Sequence, residues 1–108
     1  MVEIICVDDT FRIDQKEYWK KHNVKHPIKD EIYTIRDVIK HTNGKTGIML
    51  NEIINPKILI NHPILGYSKR ETTWNIDRFR KLNGDIISKE EIENIVSTVV
   101  EVDISQLN

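Results

Sequence analysis

Two apolar, β-branched runs face each other across residues 31–56, Glu-Ile-Tyr-Thr-Ile-Arg-Asp-Val-Ile-Lys-His-Thr-Asn-Gly-Lys-Thr-Gly-Ile-Met-Leu-Asn-Glu-Ile-Ile-Asn-Pro, with Asn43-Gly44 between them. Asn-Gly tolerates the positive φ angles of a tight turn, so the pattern predicts a β-hairpin, with Gly47 at a bulge position. Strict alternation places Tyr33, Ile35 and Ile39 on one face together with Asp37, and Ile48, Leu50 and Ile54 on one face together with Glu52. A carboxylate on an apolar face breaks the period. A β-bulge near Arg36-Asp37 restores it by shifting the phase, and two matched flaws fit either a strongly bent ribbon or a pair of polar residues facing water.

The flanking segments complete a mainly β chain. Val2–Val7 reads as a first strand, ended by Asp8-Asp9-Thr10. Asp14–Asn23 reads as a short helix capped by Asp14, with Glu17 in capping-box position. Residues 57–69 read as an excursion that adds a short strand and packs down on the body. Trp74 and Phe79 fit no single strand face, which predicts one helical turn at about Asn75–Arg78 followed by a short strand over Phe79–Leu82. Ser88-Lys89-Glu90-Glu91 opens a helix by a capping box, and Ile92, Ile95, Val96, Val99 and Val100 recur on one helical face. The β-branched alternation of Val99–Ile104 fits a terminal strand equally well.

Length and charge refine this reading. A chain of 108 residues, 39% hydrophobic and 31% charged, supports one folded domain and excludes a disordered tail. Residues 85–108 carry six acidic side chains against Lys89 alone, a net −5, which leaves +4 on residues 1–84 of a chain whose total is −1. The organisation expected is a β domain over residues 1–84 and an acidic amphipathic helix over 85–108 packed on it as one folding unit. A lone Cys6 excludes an intramolecular disulfide and suits a reducing compartment. The start of the chain reads as neither a signal peptide nor a membrane span, so the expected location is the cytoplasm, with no membrane contact.

Candidate chemistry is sparse. Asp8-Asp9 is a carboxylate pair without the further oxygen ligands a cation needs. His22 and His26 have helical ligand spacing, but Asn23 and Pro27 interrupt a helix there and no other ligands accompany them. Cys6 lies in an apolar strand, where thiols are inert. Neither a metal nor a cofactor is expected. The segment from Lys16 to Lys29 holds five lysines against Glu17 alone and includes Tyr18 and Trp19, a composition suited to phosphates.

The order Cys6-Val7-Asp8-Asp9, Tyr33-Thr34-Ile35-Arg36, Leu50-Asn51-Glu52-Ile53 and Arg78-Phe79-Arg80 resembles a group of short uncharacterised proteins encoded in phages and prophages, over most of residues 2–82. The chain departs from that group by an insertion at about 57–69 and by its acidic C-terminal segment. The resemblance implies a mobile-element origin and no activity. A long first connection, a hairpin, a one-turn helix and a last short strand are also similar to an SH3-like small β-barrel, a likeness of fold alone.

The leading expectation is a non-catalytic interaction module with a groove formed by Tyr18, Trp19, Tyr67 and Trp74, its protein partner unidentified and self-association left open. The alternative is a nucleic-acid accessory protein using Lys16, Lys20, Lys21, Lys25, Lys69, Arg70, Arg78 and Arg80. A small enzyme using Cys6 or Asp8-Asp9 is the third reading.

Overall fold

The protein is described by a computed structural model covering residues 2–40, 44–62, 66–95 and 98–99, with side chains described for all of these but 59–62, 66–68, 95 and 98–99. The central hairpin forms as its pattern demands. Strand β2 (Ile32–Lys40) pairs antiparallel with β3 (Thr46–Leu50), and Gly44 beside the turn has φ +84°, a conformation that costs a side-chain-bearing residue dearly. Ile35 pairs with Leu50 but Asp37 with Met49, so one residue, Arg36, is extra on β2. This is the bulge that the misplaced Asp37 implied. It shifts the phase so that Tyr33, Ile35 and Val38 enter the core, while Asp37 stays half-buried and accepts the Val38 N–H at 2.8 Å.

The second flaw has a different origin. Strand β3 ends at Leu50, and Glu52 lies beyond it, exposed. Thr34 still presents an N–H and a carbonyl where a partner strand would continue. Its carbonyl accepts the Asn51 N–H at 3.0 Å, and its N–H donates to Glu52 Oε1 at 2.7 Å. A carboxylate has taken over the last rung of the ladder.

Because of the bulge, β2 serves two groups of strands. Its first half pairs with β1 (Glu3–Cys6), which pairs in turn with β7 (Phe79–Lys81); its second half lies beside β3, which pairs with β6 (Trp74–Asn75). The order β6-β3-β2-β1-β7 is antiparallel throughout and stays open, since β6 and β7 are not paired. A 3-10 turn, Ile76–Arg78, joins those two edges, with the Asn75 side chain accepting the Asp77 N–H. It lets Trp74 and Phe79 both turn inward, each 1% exposed. At the β7 edge the Phe79 N–H donates to the Ile76 carbonyl and the Lys81 N–H to the Asp85 carbonyl.

The insertion is a hairpin of its own, β4 (Ile58–His62) and β5 (Gly66–Arg70), forming a separate two-stranded sheet. Helix α1 (Ile13–Lys21) lies in the first connection. Its cap differs from the expectation: Arg12 is the N-cap residue, without a side-chain cap, and Asp14 makes a 2.7 Å ion pair with Arg12 instead. The helix ends at Lys21 with His22 as its C-cap, and Asn23 just beyond, with φ +59°, lets the Val24 N–H reach back to the Trp19 carbonyl.

The C-terminal helix is shorter than an 85–108 assignment. Helix α2 spans Lys89–Ile95, opened by Ser88 and Glu91, with the Glu91 N–H donating to Ser88 Oγ and the hydroxyl to Glu91 Oε1. The chain then enters β8 (Thr98–Val99), which runs parallel to the second half of β2. Of the residues assigned to the apolar helical face, Val99 is therefore in a strand, where its β-branched neighbours favour it. Val96, Val100 and the remainder of the 98–104 question lie outside the described residues.

Ile4, Cys6, Val24, Tyr33, Ile35, Val38, Ile48, Leu50, Phe79 and Ile87 form one core with Trp19 and Trp74. Trp19 meets Trp74 edge-to-face with centroids 5.3 Å apart, and Phe11 meets Trp19 at 4.9 Å and Trp74 at 5.8 Å. Trp19 is the only buried residue of α1, so it is the anchor of that helix. Trp19→Ala is expected to cost about 3–5 kcal/mol in urea unfolding, the range for truncating a large core aromatic. Ile13→Ala, at a position 76% exposed on the same helix, is expected to stay within about 0.5 kcal/mol.

Candidate interaction cleft

The expected aromatic groove is not assembled. Trp19 and Trp74 are each 1% exposed and pack on one another, so neither presents a face to a ligand. The reason is area: each indole removes more apolar surface from water than any alternative side chain at its position, and α1 has no other anchor. Tyr18 stays on the surface, 39% exposed, its ring tilted against His22 at 4.4 Å. Tyr67 belongs to β5, opposite Asn61, and its side chain lies outside the described residues.

The basic residues are likewise dispersed over separate elements. Lys16, Lys20 and Lys21 are exposed on α1, Lys25 follows it, and Lys69 and Arg70 end β5. The two arginines near the 3-10 turn serve the fold. Arg78 lies 4.0 Å over the Phe11 ring, donates to the Thr10 carbonyl at 3.0 Å and pairs with Asp8 at 3.4 Å. Arg80 donates to the carbonyls of Asp77 at 3.0 Å and Phe79 at 2.8 Å.

The enzyme candidates are also absorbed into structure. Cys6 is fully buried, and that burial pushes its thiol above the ordinary value despite the contact with the Asp8 carbonyl. Asp8 accepts the Thr10 N–H at 2.9 Å, which holds its carboxyl below the usual range, and Asp9 accepts the Lys29 N–H at 3.1 Å. The first is a turn-forming bond, and the second ties the two ends of the first connection together. Among the described residues no three His, Cys, Asp or Glu side chains gather as a metal site would require.

The structure instead forms a cleft of about 460 Å³ between the end of the first connection and the segment after β3, lined by Lys25, His26, Ile28, Glu31, Tyr33, Glu52 and Ile53. Each wall is held from behind. Asn55, 7% exposed, accepts the Lys25 N–H through Oδ1 and donates to the Lys25 carbonyl through Nδ2, both at 2.8 Å. The Asn55 N–H donates to Glu71 at 3.3 Å, and Glu71 is paired with Arg36 of the bulge. Arg36 also donates to the Leu50 carbonyl at 3.1 Å. One chain of polar contacts therefore runs from the bulge of β2 to the cleft.

The floor is fixed in the same way. The Ile28 N–H donates to the Tyr33 hydroxyl at 2.9 Å, and Tyr33 is 6% exposed, with its phenol pushed up by burial. His26 Nδ1 lies 2.7 Å from the Pro27 carbonyl oxygen, which can only accept, so Nδ1 carries the proton. Its ring packs tilted against Phe11 at 5.2 Å, tying the cleft to the aromatic core. Both oxygens of Glu52 are taken by Thr34, from the N–H at 2.7 Å and the hydroxyl at 2.9 Å. Partial burial disfavours that charge, and the two bonds outweigh it, leaving the carboxyl below its ordinary value.

His26 and Lys25 were visible in the sequence only as a metal candidate and a phosphate candidate, and Asn55 only as the end of a ribbon. Nothing local announces that Asn55 will bond residue 25, thirty positions away. Against family models, curated proteins and solved structures, the chain has no match. Among the described residues no helix is long and apolar enough to cross a membrane.

Two outcomes follow from this geometry. Because the folded-state value of Glu52 is depressed, its contribution is present above the unfolded value of about 4.5 and is lost as pH falls below it. Wild type should therefore exceed Glu52→Gln in melting temperature near neutrality, with the gap shrinking below about pH 4.5; a gap constant with pH would refute the clamp. Cys6 should react with a thiol reagent only as fast as the protein unfolds, and the rate should rise with urea.

Proposed function

We propose that the protein is a non-catalytic protein-interaction module whose contact surface is the cleft between residues 25–33 and 52–53. The observation that carries this reading is an apolar lining, the exposed Ile28 and half-buried Ile53 over the buried Tyr33, among the charged Lys25, Glu31 and Glu52. Ile28 is 54% exposed and Ile54, next to that lining, 72% exposed, although the chain has a well-filled core elsewhere. Clustered exposed aliphatics beside a rigid concavity are the surface signature of a partner. The roles of Cys6 in packing, of Asp8 in a turn and of Asp9 in holding the Lys29 backbone support the non-catalytic part.

The strand order β6-β3-β2-β1-β7, with a 3-10 turn between the two edge strands and a bent β2 shared by both halves, supports reading the scaffold as an SH3-type barrel. The cleft lies at the end of the first connection and not over the 3-10 turn. The sequence resemblance to phage and prophage proteins supports a mobile-element origin, in which the partner is another element-encoded or host protein.

A photo-crosslinking residue placed at position 54 should capture a discrete partner from extract of the native host, and the same residue at position 86, equally exposed at 74%, should not. Ile28→Glu should abolish that capture with an unchanged melting temperature. Equal capture from both positions, or capture that survives Ile28→Glu, would overturn the assignment.

A further inference from the structure

The rim of the cleft carries two charges that the fold does not use. Lys25 and Glu31 are both exposed, both line the cleft, and neither has an ion-pair partner among the described residues. Their neighbours differ in this respect. Glu52 has both oxygens on Thr34, His26 Nδ1 is bound to the Pro27 carbonyl, and the Tyr33 hydroxyl is held by the Ile28 N–H. These bonds tie Glu52, one nitrogen of His26 and the Tyr33 hydroxyl oxygen into the walls, so the full charges left at the rim without an ion pair are those of Lys25 and Glu31.

The two charged residues are also anchored to different parts of the fold. The backbone of Lys25 is bound on both sides to Asn55, next to the segment after β3. The backbone of Glu31 is bound to β1, the Cys6 N–H donating to its carbonyl at 3.1 Å. The same cleft is lined by the apolar groups of Ile28, Tyr33 and Ile53.

Resting on the reading of this cleft as a protein-contact surface, we infer that its occupant is an extended protein segment with an apolar side chain seated on that lining, a carboxylate directed at Lys25 and a cation directed at Glu31. The volume of about 460 Å³ accommodates one large aliphatic or aromatic side chain with backbone on either side. The selectivity lies in the pairing of signs. A doubly acidic segment meets Glu31 with like charge, and a doubly basic one meets Lys25 with like charge. Rim charges of this kind act more on partner choice than on total affinity.

The test titrates short capped peptides into isotope-labelled protein and follows backbone amide shifts. Each peptide has a central Leu; one carries a Glu on one side and a Lys on the other, one a Glu on both sides, one a Lys on both sides. The mixed peptide should bind wild type about three- to fivefold more tightly than either of the others, the effect of one exposed charge pair. Lys25→Glu should move the preference to the doubly basic peptide, and Glu31→Lys to the doubly acidic one. Both side chains are exposed, so spectra elsewhere in the variants should match wild type. If all three peptides shift Ile28 and Ile53 equally in every variant, the charge selectivity is wrong while the apolar cleft stands. If no peptide shifts these amides at millimolar concentration, or the shifts survive Ile28→Glu, the cleft reading falls with it.

Discussion

Glu71 keeps its carboxylate largely out of water, with only 12% of the side chain exposed, and a charge so placed is costly unless it is paired and hydrogen-bonded. Arg36 and the Asn55 N–H meet that need. Arg36 can do so because it is the extra residue of the β2 bulge, so its guanidinium reaches across the end of β3 to the Leu50 carbonyl and on to Glu71. Removing one partner leaves the other charge buried, which is why this contact constrains the segments around it so strongly.

What the pair organises is the end of the molecule where β2 begins. Asn55 is bonded to Glu71 through its backbone and to Lys25 through its side chain, in effect a two-bond rung between segments that are not strands. The Thr34–Glu52 bonds make a second such rung. Both ties hold residues that line the cleft, Lys25 in the first and Glu52 in the second, while the aromatic cluster of Phe11, Trp19 and Trp74 reaches the same lining through His26.

Features coded within a few residues were legible in the sequence. Asp37 on an apolar face announced the bulge, Ser88 and Glu91 the start of α2, and the spacing of Trp74 and Phe79 the 3-10 turn between them. Glu52 broke the same alternation without a bulge, because a strand that simply stops leaves the same trace in sequence as one that shifts register. The aromatic groove failed for a physical reason: tryptophans on connections look available until the connection is known to fold back, and α1 folds back through Trp19 alone. The cleft itself depends on pairs such as Lys25 with Asn55, which no periodicity encodes.

An open sheet invites growth, because an edge strand with free N–H and C=O groups is a template for another chain. At the β7 edge this chain has removed the invitation from within. The Phe79 N–H is bonded to Ile76 and the Lys81 N–H to Asp85, so an incoming strand would find those donors occupied by the turns on either side. The short turns that enter and leave β7 thus act as built-in chain terminators, keeping a sheet that does not close from lengthening on that side.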